Sequence, residues 1–199
     1  MFTLLEATNR ILESLSLPLV DATTLNTTRE SQVVLRKLEE KRLQALKLGW
    51  GFNTFCNDHT PNGTGKIVID RNIIYRLRDY YKSTRYKIGN GGVLYDCFTD
   101  STVFESEVKL RTIEHIDWNE SPLWFQDFVI AWTSWSLRVI LGGNIEDVNQ
   151  VLQEEYIAYK ATALQADIEE SNINSEMYPI VGKLASFGFG KRFRDGYYL

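Results

Sequence analysis

Histidine, cysteine and methionine occur twice each among 199 residues. With two histidines, His59 and His115, most general acid–base arrangements lack their usual proton carrier. Two cysteines, Cys56 and Cys97, cannot build a disulfide scaffold. The one metal-like spacing, Cys56-x-x-His59, could be completed only by Cys97 and His115 from separate strands. Structural zinc sites draw on two tight pairs, so free thiols and ordinary histidines are the expectation. Nucleotide loops are missing as well. Gly65-Lys66 and Gly190-Lys191 have Thr60 and Ala185 where a phosphate-binding loop needs its first glycine, and Ile67 and Arg192 follow the lysines. Gly188-Phe189-Gly190 continues to Phe193 and not to a third glycine. The longest apolar run, Phe128 to Leu141, is interrupted by Arg138, and its uncharged part falls well short of the ~20 residues that cross a bilayer. It reads as a buried core helix, and no membrane is expected. With no catalytic signature, the expectation is a protein that is no enzyme and has no cofactor. No secretory leader is read, which makes a reducing cytoplasm the expected setting.

What is present is an ordinary globular balance, 44% hydrophobic and 24% charged, enough for a real core. The net charge of −4 argues against the whole chain being a nucleic-acid binder. The charge is unevenly spread. Residues 28–50 carry six basic and three acidic side chains, whereas residues 144–171 carry seven acidic and one basic. Such asymmetry predicts complementary faces, within one chain or between neighbours.

Periodicity predicts helices over 3–16 and 30–48, the second with Val34, Leu35, Leu38, Ala45 and Leu46 inward and Gly49 as its stop. Residues 50–120 change character. Trp50 to Phe55 suits the start of a strand, and Pro61 to Gly65 a turn. Lys66 to Asp70 and Glu107 to Ile116 read as strands, and Asn90-Gly91 between apolar flanks as a hairpin. Ser121 as N-cap with Pro122 opens a helix to residue 141 that is apolar nearly all round, including Trp124, Phe125, Phe128, Trp132, Trp135, Leu137 and Ile140. Gly142-Gly143 ends it. Asn144 with Asp147 caps a last helix to about residue 170, with a seam of Ile145, Val148, Leu152, Tyr156, Tyr159, Ala163 and Ala166. The fold class expected is α+β, mainly α. It comprises an antiparallel bundle of four helices, an inserted small antiparallel sheet over about 50–120, and a single domain over 1–171 followed by an extended arm.

Residues 172–199 differ from the rest. Four glycines separate Phe187, Phe189, Phe193, Tyr197 and Tyr198, with Lys183, Lys191, Arg192 and Arg194 among them. Glycine at this density opposes helix and strand. Aromatic and arginine anchors have the composition of an interface. The segment reads as an arm that orders against something else. A disordered terminus and a grip on single-stranded nucleic acid, by stacking on the aromatics, are the alternatives.

The order of several motifs resembles the tail tubular protein A family, the head-to-tail adaptors of short-tailed bacteriophages. Asn9-x-Ile11-Leu12-x-Ser14-Leu15 leads to Leu17-Pro18-Leu19-Val20, and a basic helix ends in Gly49-Trp50-x-Phe52-Asn53. Then come Asn90-x-Gly92-Val93-Leu94-Tyr95-Asp96, Phe104, Glu120-x-Pro122 and Val151-Leu152-Gln153-Glu154-Glu155. The resemblance covers about residues 4–170. It implies a virion tail protein, assembled in the host cytoplasm, without enzymatic activity. It implies a ring of about twelve copies, closed by a heterologous contact, between a portal protein and a tail nozzle protein. Tail fibres are a further partner, and DNA is cargo passing through the lumen. The basic side chains Arg36, Lys37, Lys41 and Arg42 and the acidic Glu146, Asp147, Glu154 and Glu155 are the expected charge faces between subunits. The arm, with Phe187, Phe189, Lys191, Arg192, Phe193, Arg194, Tyr197 and Tyr198, is the expected grip on the portal. The alternative is a nucleic-acid-binding or DNA-packaging accessory protein that uses this basic aromatic tail.

Overall fold

The computed structural model describes residues 1–69, 74–79, 85–141 and 146–170, with the backbone alone described at 74–79, 141 and 146–149. Helix α1 (Leu4–Ser14) starts at a capping box. The Glu6 amide donates to Thr3 Oγ1 at 3.2 Å, and the Thr3 amide donates to the Glu6 carboxylate at 2.7 Å. Ala7, Ile11 and Leu12 form its buried face. Asn9 then fastens the following loop, its amide donating to the Val20 carbonyl at 2.8 Å and its oxygen accepting from the Val20 amide at 2.9 Å. Helix α2 (Arg29–Leu46) is capped by Thr28 and buries Val34, Leu38, Ala45 and Leu46. Gly49 adopts φ +74, and a Cβ there would lie 2.6 Å from Ile113, so a glycine is required at this turn.

Trp50 does not start a strand. It is 1% exposed and belongs to the helical core, with its indole N–H donating to the Ala45 carbonyl at 2.8 Å. A short 3-10 turn at Gly51–Asn53 follows, and strand β1 begins at Thr54 (Thr54–His59). Strands β2 (Ile74–Asp79) and β5 (Val108–Glu114) complete a three-stranded antiparallel sheet with β5 in the centre, in the order β1-β5-β2. Strands β3 (Tyr86–Ile88) and β4 (Leu94–Asp96) form the expected hairpin. Its turn spans Gly89 to Val93, and the glycines Gly91 and Gly92 supply the positive φ. The predicted strand at Lys66 to Asp70 is replaced by one isolated bridge, Val68 to Val93, and Asp70 lies outside the described residues. Ile67 and Ile69 nevertheless point inward and pack with Leu94 and Leu110 in a small core of their own.

Helix α3 (Leu123–Leu141) packs on α1, α2 and on α4 (Glu146–Glu170). Ser121 does not cap it, because its hydroxyl donates back to the Asp117 carbonyl at 3.0 Å. The Pro122 carbonyl accepts from the Phe125 and Gln126 amides instead. Phe125, Phe128 and Val129 are fully buried, but Ile140 is 64% exposed, so the apolar surround of α3 does not stay inside to its end. On α4 the inner face is Leu152, Tyr156, Ala163 and Leu164, joined by Lys160 and Asp167. Tyr159 lies outside that face, more than a third exposed. The glycine pair and the cap expected at residues 142–145 lie outside the described residues.

Candidate assembly surfaces

Helix α2 turns one stripe outward. Arg29, Val33, Arg36, Glu40, Leu43 and Lys47 recur at helical spacing opposite the buried face. All are exposed except the half-buried Leu43. The four basic residues expected to form one face therefore separate. Arg36 belongs to the outward stripe. Lys37 donates to Glu40 at 2.9 Å, and this bond holds the Glu40 carboxyl below its ordinary range. Lys41 lies over the Trp132 ring at 4.6 Å, where burial lowers its pKa. Arg42 does not reach the surface at all. Its guanidinium donates to Glu39 at 2.7 and 2.8 Å and to the Ile116 carbonyl, and it meets His115 Nε2 at 2.6 Å. It sits three and four residues beyond Glu39 and Leu38, on the edge of the face that α2 buries.

Helix α4 presents Val151, Glu154, Glu155, Ala158, Ala161 and Gln165 to solvent, with Ile157 at their margin. Glu154 accepts from Gln150 at 3.0 Å. The side chains of Glu146 and Asp147 lie outside the described ones, as does the whole arm with Phe187, Phe189, Lys191, Arg192, Phe193, Arg194, Tyr197 and Tyr198. Because α2 and α4 each pack on α3, the cationic stripe and the acidic face belong to different helices of one subunit.

Two buried polar groups on α4 were not read from the sequence. Lys160 Nζ donates to the Tyr156 hydroxyl at 3.1 Å, and burial brings its pKa down to about 8. Burial raises the Tyr156 phenol for the same reason. Tyr156 itself stacks on Trp135 at 5.0 Å and on Phe128 at 6.0 Å. The spacing Leu152, Tyr156, Lys160, Ala163 and Asp167 is a regular inward seam, and it was the signal that could have found both. The Asp167 carboxylate accepts from the Gly51 amide, which fastens α4 to the entry of the β insertion. Asn53 fastens the same junction, donating to the Leu46 and Glu114 carbonyls at 3.0 and 3.1 Å and accepting from the Trp50 amide at 2.8 Å.

An open groove of about 770 Å³ in the β insertion is lined by Arg85, Tyr86, Asp96, Glu107 and Lys109, among others. Arg85 bonds to Asp96 at 2.5 and 2.9 Å and holds its carboxyl at about 2. A carboxylate paired this way is no proton carrier at neutral pH. Among the described residues no three histidine, cysteine or acidic side chains stand together as a metal site. None of the described helices is long and apolar enough to cross a membrane.

The helical core thus carries opposite charges on two outward faces. The chain belongs to the tail tubular protein family, whose model matches residues 5–173. That match takes in all four helices and the β insertion. The chain is similar to tail tubular protein A of Klebsiella phage KP34, 26% identical over 173 residues that cover 86% of this chain and 90% of that protein. It is thus a structural protein of a phage tail.

Proposed function

We propose that this tail protein is a head-to-tail adaptor, a ring of about twelve copies closed by one repeated heterologous contact. In that contact the outward stripe of α2 on one copy, Arg29, Val33, Arg36 and Lys47, meets the outer face of α4 on the next, Val151, Glu154, Glu155 and Ala158. The observation that carries this reading is the placement of the two charges on separate helices of one bundle. A subunit whose complementary surfaces differ joins head to tail, and such contacts close into a ring when the rotation between neighbours closes. Interfaces of this kind combine an apolar strip with a charged rim, as both faces do here. The reading continues with the ring between portal and nozzle and DNA passing through its lumen.

The arm, residues 172–199, completes the proposal as the grip on the portal. Its aromatics supply large contact area with few rotatable bonds. A chain ending after Ser171 is expected to keep its helical circular dichroism and its thermal transition, but to lose stable capture on portal-bearing heads in sedimentation. Normal yields of DNA-filled heads completed by the shortened chain would rule the arm out.

A further inference from the structure

The pair Asn-Gly occurs twice in the chain, as Asn62-Gly63 and as Asn90-Gly91. Asparagine before glycine is open to attack by the next backbone amide, because no Cβ on that residue stands in the way. All four residues are exposed, so access of water does not separate the two pairs. Hydrogen bonding does. Asn62 Oδ1 accepts from the Thr64 amide at 3.0 Å, the Thr64 hydroxyl at 2.7 Å and the Lys66 amide at 3.0 Å. The Asn62 amide donates to the Lys66 carbonyl at 2.9 Å, and its carbonyl accepts from the Gly65 amide at 2.8 Å. These bonds hold backbone and side chain in one arrangement. Asn90 is bound only through its carbonyl, which accepts from the Val93 amide at 3.5 Å. Its carboxamide has no hydrogen-bond partner among the described residues, and the Gly91 amide beside it donates to none of them.

We propose that Asn90 is a site of spontaneous deamidation and that Asn62 is protected from it. The Gly91 amide nitrogen loses its proton to solvent base and attacks Asn90 Cγ. The N–Cγ bond forms, the Cγ–Nδ2 bond breaks, and Nδ2 takes up a proton and leaves as ammonia. Water then opens the cyclic imide at either carbonyl, giving aspartate or isoaspartate. Overall, a carboxamide and water become a carboxylic acid and ammonia, with no oxidant or reductant. Either product adds one negative charge at neutral pH. Isoaspartate also lengthens the backbone by one methylene inside a tight turn. That turn is closed by the Gly89 amide on the Val93 carbonyl at 2.7 Å, and its Gly92 carbonyl accepts from the Ile69 amide at 2.8 Å. The reaction therefore loosens the hairpin where it fastens the small core. The proposal does not depend on the adaptor reading, because it concerns the β insertion of a single chain.

Incubation of the full chain at mildly alkaline pH, followed by tryptic mass spectrometry, tests it. Asn90 falls in the fragment 88–109 and Asn62 in the fragment 48–66, and fragment ions place the mass gain on one residue. The gain is expected to accumulate at Asn90 at least ~10-fold faster than at Asn62, the factor for breaking one hydrogen bond before the ring can close. In urea the two asparagines should react at similar rates, since both precede glycine and the protecting bonds are gone. In converted chain, hydrogen exchange is expected to quicken at the Ile69 and Leu94 amides, which bond to the Gly92 and Ile67 carbonyls, and to stay unchanged in α1. Equal rates in the native chain would overturn the proposal. So would a faster Asn62, or an Asn90 that stays unreacted while the chain in urea is converted. A difference between the two that persists in urea would also overturn it, because folding would then not be its cause. Unchanged exchange at Ile69 and Leu94 in the converted chain would overturn the loosening of the hairpin.

Discussion

At the residue scale, buried polar side chains fasten the places where two elements meet. Asn53 is 0% exposed and bonds to the end of α2, to the end of β5 and to the Trp50 amide. Asn53→Ala leaves those buried groups without partners, and urea unfolding should show a loss of about 3 kcal/mol. Lys160 gives a pH signature. Its pKa in the folded state, about 8, is below that of an unfolded lysine, so the unfolded chain binds more protons above that value. Stability should therefore rise between pH 8 and 10, and fall again as the unfolded chain's tyrosine ionises while buried Tyr156 stays protonated. Lys41, lowered by the same cause, adds in the same direction. Replacing Lys160 by Met should flatten, without abolishing, the rise in melting temperature across that window.

At the scale of elements, the helices were legible and the β insertion was partly so. Helix α1 and helix α2 follow the 3.6-residue period within two residues at each end, because their apolar stripes are uninterrupted. The hairpin was legible from Asn90-Gly91. Strand β2 was not, since Ile74–Asp79 is broken by Arg76 and Arg78 and gains its place only by pairing with β5. The segment 66–70 misled for the opposite reason. It alternates like a strand but forms a single bridge, and what holds it is the burial of Ile67 and Ile69. Among the residues expected on the charge faces, charge counting included Arg42, which is buried. A helical wheel centred on Val34 and Leu38 would have removed it. Gly92 tests the independence of the two cores. At φ +78 a Cβ would lie 2.3 Å from the Ile69 carbonyl, so Gly92→Ala should open the hairpin at a cost of about 1–3 kcal/mol or more. Hydrogen exchange is expected to speed up at the Ile69 and Leu94 amides and to stay unchanged in α1 and α3.

At the scale of the whole molecule, the proposal rests on two oppositely charged faces carried by different helices of one bundle. In the proposed ring the stripe of α2 on one copy meets the face of α4 on the next. In the proposal the arm adds a second, separable attachment. Charge reversal separates the two contributions, because it leaves the arm untouched and changes no buried side chain. The decisive measurement is electron microscopy of particles assembled on portals by chains with reversed charge. Arg29, Arg36 and Lys47 are changed to Glu in one chain, Glu154 and Glu155 to Lys in a second, and all five in a third. The account expects closed rings from the unaltered chain, none from either single-face reversal, and rings again from the combined one. Intact rings from either reversal alone would contradict it.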